Sequence, residues 1–317
     1  MNILVSGSLA YDRIMDFPGR FSDHILPDKI HILNVCFMIN GLKENFGGTA
    51  GNIAYTLSLL EETSNIVATA GRDFQPYKQW LKQCNIPSNN ITIIEEELTA
   101  GAYITTDQSD NQITAFNPGA MKHPARFGFE SVDPTNTLAI VAPGNLEDMF
   151  EFIKFYKQKG IAYIFDPGQS LPQWNREQLT EMITGAKIFI SNDYELQLTM
   201  EKTFASIEEI AEMADTVITT KGEFGSTILR KTNGRLGRVD IPPVRVEKVY
   251  DPTGAGDAYR GGLIKGLTMP DVNLEHAAMI ASTAASFSVE TYGTQNFYFT
   301  KESFNQRFES TYGKKGV

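Results

Sequence analysis

The chain has 317 residues, of which 42% are hydrophobic, and its formal net charge is −10 at pH 7. This composition predicts a folded protein with a sizeable core. The acidic balance argues against binding to the phosphate backbone of nucleic acid, because such binding depends on clustered Lys and Arg. The two cysteines, Cys36 and Cys84, form no paired motif, and no apolar run is long enough for a signal peptide or a membrane span. We therefore expect a cytoplasmic protein without a membrane partner.

Strand and helix patterns alternate along most of the chain. Apolar runs at 3–7 and 66–70 predict buried strands, and the apolar residues of 77–84 recur with helical spacing. After about residue 130 further strands are predicted at 138–142, 162–165, 188–191 and 216–219. Between the first two, Met149, Phe152, Ile153 and Tyr156 mark one face of a helix over 146–157. This alternation predicts a mostly parallel sheet covered by helices on both faces.

Two segments do not follow this alternation. Residues 30–46 and 101–117 favour β-structure and have no helix between them. The second segment predicts a hairpin whose polar turn is Asp107-Gln108-Ser109-Asp110-Asn111. We expect both segments to pair into a small sheet, called the lid below. Val35, Phe37 and Ile39 would form an apolar face on one lid strand, so we predict a homodimer that buries two such faces against each other.

The segment 251–257, Asp-Pro-Thr-Gly-Ala-Gly-Asp, precedes a helical run over 258–267. Glycines before a helix permit a tight turn and leave the first N–H groups unpaired. With the helix dipole, the N–H groups of Gly254, Ala255 and Gly256 predict an anion hole for a phosphate. A carboxylate repels phosphate, so Asp257 is best explained as a base that takes a proton from an alcohol attacking that phosphate. The alternative is an ordinary helix cap.

A second glycine-rich segment, 46–54, leads into a predicted helix. Small residues such as Gly48 let a ligand approach the backbone, and the Asn52 amide can hydrogen-bond a sugar hydroxyl. Close packing of helix on sheet explains the same residues equally well. The spacing is not that of a dinucleotide-binding loop, and the chain contains no P-loop motif.

Three motifs together resemble the ribokinase-like, or PfkB, carbohydrate and nucleoside kinases: Gly-Ala-Gly-Asp at 254–257, the segment 47–54, and Asn-Asp-Tyr-Glu at 192–195. The family places a small residue where this chain has Glu61, a departure that we assign to helix packing. The resemblance implies a three-layer α/β/α domain built from residues 1–12, 46–97 and 122–317, with a small β lid built from residues 13–45 and 98–121. Within the family the chain is most similar to bacterial adenosine kinases, through Ser6-Gly7-Ser8, Asp12 and the segments 117–121, 257–260 and 292–295.

The resemblance also assigns the substrate site. It implies that Asp12 grips the vicinal hydroxyls of a ribose, with Ser8, Gly48 and Asn52 completing the sugar site; the alternative for Asp12 is a turn-forming residue. Phe37 and Phe116 would line a slot for adenine, or else belong to the lid core. Adenosine kinases place a stacking Phe where this chain has Ala102, with Tyr103 beside it. One wall of the slot is therefore either missing or supplied by Tyr103.

On the ATP side the resemblance assigns Asn192 and Glu195 to the phosphates and Mg²⁺, with Glu195 acting through water. The turn containing Thr220, Gly222 and Gly225 would border the nucleotide. Arg260, one helical turn after Asp257, either reaches a phosphate or pairs with a carboxylate. The resemblance further places a monovalent cation, K⁺, at Asp251 and Thr253.

These residues imply an ATP- and Mg²⁺-dependent kinase that phosphorylates the 5′-hydroxyl of a nucleoside, with adenosine, converted to AMP in purine salvage, as the expected substrate. One alternative is a sugar kinase of the ribose or fructose type that uses the same groups. The other is a nucleoside or sugar sensor without catalysis. Retention of Asp257, Asn192 and Glu195 argues against the sensor, which needs none of the three.

Overall fold

The computed structural model describes residues 1–109, 111–129, 132–232 and 235–317. Within these ranges the strands are β1 (Asn2–Ser6), β2 (Ala10–Asp16), β3 (Leu42–Gly47), β4 (Asn65–Gly71), β5 (Ile91–Ile94), β6 (Ala100–Thr106), β7 (Gln112–Asn117), β8 (Thr137–Val141), β9 (Ala162–Phe165), β10 (Ile188–Asn192), β11 (Thr216–Thr220), β12 (Ser226–Thr232) and β13 (Arg235–Ile241). The helices are α1 (Thr49–Leu59), α2 (Gln75–Gln83), α3 (Leu146–Lys159), α4 (Arg176–Ile183), α5 (Asp193–Thr203), α6 (Ile207–Met213), α7 (Ala255–Thr268), α8 (Leu274–Ser288) and α9 (Lys301–Tyr312).

The large sheet has the order β13-β12-β11-β10-β9-β8-β1-β4-β5. Its strands from β11 to β5 are parallel, and β12 and β13 form an antiparallel edge. Successive side chains of a strand point to opposite faces, so Ile164 joins one apolar core with α1, α7 and α8, whereas Phe165 joins another with α3, α4 and α6. The predicted three-layer α/β/α architecture is confirmed.

The small sheet has the order β3-β2-β6-β7, in which only the β2–β6 pair is parallel. Strands β6 and β7 confirm the predicted hairpin, although Asp110 of its turn lies outside the described residues. The strand predicted over 30–46 is wrong in its first part, because residues 27–32 form 3₁₀ turns and 33–41 are irregular. There Phe37 packs on Phe17 and Phe21 instead of following a strand. The domain boundaries stay a prediction.

The carboxyl ends of the parallel strands meet at one edge of the large sheet, where ligands bind in open α/β sheets. Ser8 lies just after β1, Asp166 follows β9, Asn192 ends β10 and Thr220 ends β11. Helices α1, α5 and α7 begin at the same edge. No helix in the described part of the chain is both long enough and apolar enough to cross a bilayer.

Candidate active site

The start of α7 forms the turn that the sequence predicts to bind an anion, called the anion-binding turn after that prediction. Gly254 has φ +79°, and a Cβ there would lie 2.8 Å from Thr294 Cγ2. This left-handed conformation and the close contact both favour glycine. Because α7 begins at Ala255, the N–H groups of its first turn have no carbonyl partner within the helix. These groups carry the partial positive charge of the helix terminus.

Asp257 lies in the first turn of α7 and is partly buried. Its Oδ2 accepts a hydrogen bond of 2.8 Å from Nδ2 of Asn52 on α1. Burial raises the pKa of Asp257 to about 7, against the hydrogen bond from Asn52 and the charge of Arg260, which lower it. The carboxylates of Asp166 and Asp12 raise it further. A carboxyl group with a pKa near neutrality is suited to exchange a proton with substrate.

Arg260 pairs with a carboxylate, which decides between the two predicted roles for its side chain. Its Nε and Nη2 donate to the two oxygens of Asp166 at 2.7 and 2.8 Å. Both side chains are at least 93% buried. Nη1 lies under the anion-binding turn, 2.8 Å from where a Cβ of Gly256 would be. A permanent positive charge therefore sits below the turn, close to Asp257.

On the sugar side, burial raises the pKa of Asp12 to about 6, with a further contribution from the charge of Asp251. A Cβ at Gly47 would lie 2.5 Å from Asp12 Oδ2. Gly48 has φ +89°, and a Cβ there would lie 2.6 Å from the carbonyl oxygen of Ser8. Both glycines are thus needed for β3 to pass beside Asp12 and enter α1.

Two of the predicted sugar-binding side chains are engaged within the protein. The Ser8 hydroxyl accepts a hydrogen bond of 3.0 Å from the Thr49 N–H and so anchors the start of α1. Asn52 is 4% exposed; its Oδ1 accepts from Nε2 of Gln295 at 3.0 Å, and its Nδ2 donates to Asp257. One N–H of the Asn52 amide remains for a substrate hydroxyl.

Register places four residues in one row across the lid: Asn45, Asp12, Ala102 and Phe116. Directly paired residues share a face of a sheet. Ala102 therefore lies between the carboxylate and the half-exposed ring of Phe116. Tyr103 lies on the opposite face, where its hydroxyl accepts from Arg13 at 3.2 Å. Of the two alternatives for this wall, the register therefore favours the missing wall over one supplied by Tyr103.

Phe37 belongs to an aromatic cluster of the lid. Its ring centroid lies 4.7 Å from that of Phe17 and 5.1 Å from that of Phe21, and His24 completes the cluster. Phe37 is partly exposed. Of the two aromatic residues predicted for the adenine slot, Phe116 shares the face of Asp12, whereas Phe37 has packing partners of its own.

The Asn-Asp-Tyr-Glu motif forms the start of α5. Asn192 Oδ1 accepts from the Glu195 N–H at 2.7 Å, and Glu195 Oε2 accepts from the Asn192 N–H at 2.8 Å, which is a capping box. Burial raises the pKa of Glu195. Among the described residues no cluster of three His, Cys, Asp or Glu forms a metal cage. One carboxylate assisted by water and substrate phosphates is nevertheless a typical Mg²⁺ environment, so Glu195 fits that ion.

The remaining predicted residues lie in two turns. Thr220 ends β11, and Gly222 and Gly225, with φ +53° and +79°, shape the following turn. The Asp251 carboxylate accepts from the N–H groups of Thr253 at 2.9 Å and Gly293 at 3.0 Å. Asp251 thus ties the anion-binding turn to the loop that contains Gln295.

Sequence reasoning missed Asp166, Trp80, Tyr77 and the role of Gln295. A carboxylate directly after a buried parallel strand was the available signal for Asp166. Gln295 belongs to the segment 292–295 that resembles adenosine kinases, but no pattern in the neighbouring sequence connects it to Asn52. Trp80 and Tyr77 were assigned only to the apolar stripe of α2.

The chain is similar to known proteins over most of its length. The model of the pfkB family carbohydrate kinases matches residues 32–301. The nucleoside kinase of Methanocaldococcus jannaschii is 33% identical over an alignment of 282 residues, which covers 87% of this chain and 89% of that protein. The structure of Burkholderia thailandensis nucleoside kinase in complex with inosine has a TM-score of 0.85 and 37% identity, and covers 99% of each chain. The same enzyme in complex with ADP-inosine has a TM-score of 0.84 and 38% identity, and covers 99% of this chain and 98% of that one.

Proposed function

Because the chain belongs to the pfkB family of carbohydrate kinases, we propose that it is an ATP-dependent kinase that phosphorylates the 5′-hydroxyl of a nucleoside. The observation that carries the proposal is the position of Asp257 in the first turn of α7, beside the anion-binding turn and hydrogen-bonded to Asn52. The similarity to two nucleoside kinases, one of them in complex with inosine, supports a nucleoside as the acceptor.

In the proposed reaction Asp257 accepts the proton of the 5′-hydroxyl while the oxygen of that hydroxyl forms a bond to the γ-phosphorus of ATP. The bond from that phosphorus to the bridging oxygen breaks, and ADP leaves with the electron pair. The N–H groups of Gly254, Ala255 and Gly256 stabilise the charge of the transferring phosphoryl group. Arg260, held below them by Asp166, adds a fixed positive charge.

Asn192, Glu195 and the turn of Thr220, Gly222 and Gly225 are proposed to border the ATP phosphates and ribose. Bound Mg²⁺ would neutralise charge on the polyphosphate, with Glu195 holding it through water. Asp251 and Thr253 remain the proposed K⁺ site, and the cytoplasmic location remains a prediction.

We propose adenosine as the substrate. Asp12 would accept from both vicinal hydroxyls of the ribose, Ser8, Gly48 and Asn52 would surround the sugar, and Phe116 would stack on the base, with Phe37 in the lid above it. One observation favours the sugar-kinase alternative: Ala102 leaves the row between Asp12 and Phe116 without a second ring. The lid closes over either substrate and excludes water.

A coupled ADP-release screen tests the proposal with adenosine, inosine, guanosine, cytidine, ribose and fructose as acceptors. Asp257→Asn serves as the matched inactive control. Adenosine as the best acceptor supports the proposal. If ribose or a hexose gives a higher kcat/KM than every nucleoside, the sugar-kinase alternative replaces it. If none of the acceptors leads to ADP release, both proposals are contradicted.

A further inference from the structure

Four side chains from four parts of the chain form a continuous line of hydrogen bonds that ends at Asp257. Trp80 Nε1 on α2 donates to Gln295 Oε1 at 2.9 Å. Gln295 Nε2, in the loop before α9, donates to Asn52 Oδ1 at 3.0 Å. Asn52 Nδ2 on α1 donates to Asp257 Oδ2 at 2.8 Å. The line thus links a tryptophan, through two amides, to the proposed base.

The donors and acceptors along this line fix the orientation of the Gln295 and Asn52 amides. An indole N–H can only donate, so Gln295 must turn its oxygen to Trp80 and its NH₂ group inward. That NH₂ group meets two acceptors, Asn52 Oδ1 and the hydroxyl oxygen of Tyr77 at 2.6 Å. The Tyr77 hydroxyl donates its own proton to the Gly47 carbonyl oxygen at 2.8 Å. The orientation of both amides therefore follows from donor and acceptor matching.

Because both amides are buried, reversing their orientation would cost free energy. Gln295 is 2% exposed and Asn52 4%, so water does not readily replace a lost partner. If Asn52 turned over, its oxygen would face the Asp257 carboxylate and its NH₂ group would face that of Gln295. Each contact would then bring two acceptors or two donors together, and a buried unsatisfied polar group is expensive.

We propose that Gln295 and Trp80 are positioning residues, which hold the Asn52 amide so that it presents an N–H to Asp257 and fixes the orientation of that carboxylate. The proposal rests on the function proposed above for Asp257. Neither residue touches the reacting atoms; each acts through Asn52.

The pKa of Asp257 depends on the charged groups around it as well as on the hydrogen bond from Asn52. Asp12 from β2 and Asp166 after β9 raise the pKa of Asp257, and Arg260 on the same helix lowers it. Arg260 is bound to Asp166, and among the described residues it is the Asn52 N–H that donates a side-chain hydrogen bond to the Asp257 carboxylate. Loss of that hydrogen bond is expected to move the acid limb of the kcat profile to higher pH.

The kinetic test uses Gln295→Met, which keeps the approximate shape but removes both polar groups, and Trp80→Phe, which removes the indole N–H. We expect Gln295→Met to lower kcat roughly tenfold, with a smaller effect for Trp80→Phe, since one charge-assisted hydrogen bond is lost or loosened. In both variants the acid limb should move to higher pH while KM for ATP stays within about twofold. Trp174→Phe is the control, because that buried indole N–H has no partner among the described residues and lies in the other core.

A second measurement does not need turnover. With ¹⁵N-labelled tryptophan the two indole signals can be followed against pH, since the chain has two Trp. The Trp80 signal, assigned by its loss in Trp80→Phe, should titrate with Asp257 and lose that dependence in Asp257→Asn and in Gln295→Met. The Trp174 signal should not follow this titration.

The two measurements separate this inference from the proposed function. A titrating Trp80 signal in a protein that phosphorylates no nucleoside supports the hydrogen-bonded line and contradicts the kinase. The inference is overturned if a folded Gln295→Met variant has wild-type kcat and an unchanged acid limb, and if the Trp80 signal does not follow the titration of Asp257. The proposed kinase function is unaffected by that outcome.

Discussion

Arg260 and Asp166 form a bidentate ion pair directly beneath the turn that leads into Asp257, with N···O distances of 2.7 and 2.8 Å. A guanidinium and a carboxylate match in this geometry, and each satisfies the other where water is excluded. The pair connects the end of β9 to α7. It therefore links the large sheet to the helix that carries the proposed base.

Breaking this pair should destabilise the fold. Arg260→Met leaves the Asp166 charge buried without its partner, and we expect the free energy of unfolding in urea to fall by about 3–5 kcal/mol. Lys231→Met is the control, because its pair with Glu212 is solvent-exposed and should contribute far less to stability than the buried pair. Equal losses in the two variants would contradict a special role for the buried pair.

Asp257→Asn should remove the base. We expect kcat to fall by on the order of a hundredfold or more with KM little changed, since the group acts in the transition state. In the wild-type enzyme kcat should fall as pH drops through about 7, because the protonated carboxyl cannot accept a proton. The variant should lack this limb, and Asp215→Asn, an exposed carboxylate outside the site, should keep it. An Asn variant with most of the activity would exclude Asp257 as the base.

The same pKa has a consequence for stability. The folded pKa of about 7 lies above the ordinary value of 3.8 for an Asp, so the folded state binds more protons between these pH values. The stability that this group contributes therefore falls as pH rises through that window. Asp257→Asn should therefore raise the melting temperature at pH 8, and this gain should shrink toward pH 4. A variant that is less stable than wild type at pH 8 would contradict the raised pKa.

Asp107 should hold the lid together. It accepts from the N–H groups of Phe21, Ser109 and Asn111 at 2.8–2.9 Å. Burial opposes the charge, but these hydrogen bonds lower the pKa of Asp107 to about 2. The stabilisation is therefore present above about pH 4 and is lost as pH falls toward 2.

Removal of this carboxylate tests that role. Asp107→Ala should speed amide hydrogen exchange in the segment around Phe21 and raise KM for the nucleoside, with kcat less affected. Asp23→Ala, in the same segment as Phe21, is the control, since its exposed carboxylate meets only Ser22 among its side-chain hydrogen bonds in the described part of the chain. Unchanged exchange in Asp107→Ala would contradict the prediction.

Phe116 should favour a nucleoside over a sugar. We expect adenosine to exceed ribose and fructose by at least about tenfold in kcat/KM, and Phe116→Ala to remove much of this advantage, because an aromatic contact contributes roughly 0.5–1.5 kcal/mol beyond area burial. Ribose, which lacks a base, should hardly respond. Ile113→Ala, on the opposite face of β7, should leave the adenosine preference unchanged. Equal losses for adenosine and ribose would place Phe116 outside the base site.

The homodimer through the lid stays a prediction, but its surface differs from the predicted one. Val35, Phe37 and Ile39 are partly buried, whereas Ile30, Ile32 and Met38 are exposed. The double change Ile30→Asp and Ile32→Asp should convert a dimer into a monomer in light scattering at micromolar concentration. Leu236→Asp on β13 should not. A monomeric wild-type protein would refute the dimer.

Local patterns in the sequence were sufficient for the architecture and for the centre of the site. Apolar runs separated by amphipathic helices require a covered parallel sheet, and this holds wherever the alternation is regular. Glycines before a helix also specify their own turn, so the position of Asp257 at the start of α7 follows from neighbours in the chain. The lid segment 30–46 departs from its pattern only before β3, where Phe37 packs on Phe17 and Phe21 instead of following a strand.

The sequence by itself determined that Gly254 to Asp257 form the turn at the start of α7, because such a turn is specified by residues that are neighbours in the chain. Only the tertiary structure decided what surrounds them. Asn52 and Asp257 are 205 positions apart, and Gln295 lies 243 positions from Asn52. No spacing rule connects such residues; the packing of α1 against α7 brings them together. The direction of each amide depends in turn on a distant indole that can only donate.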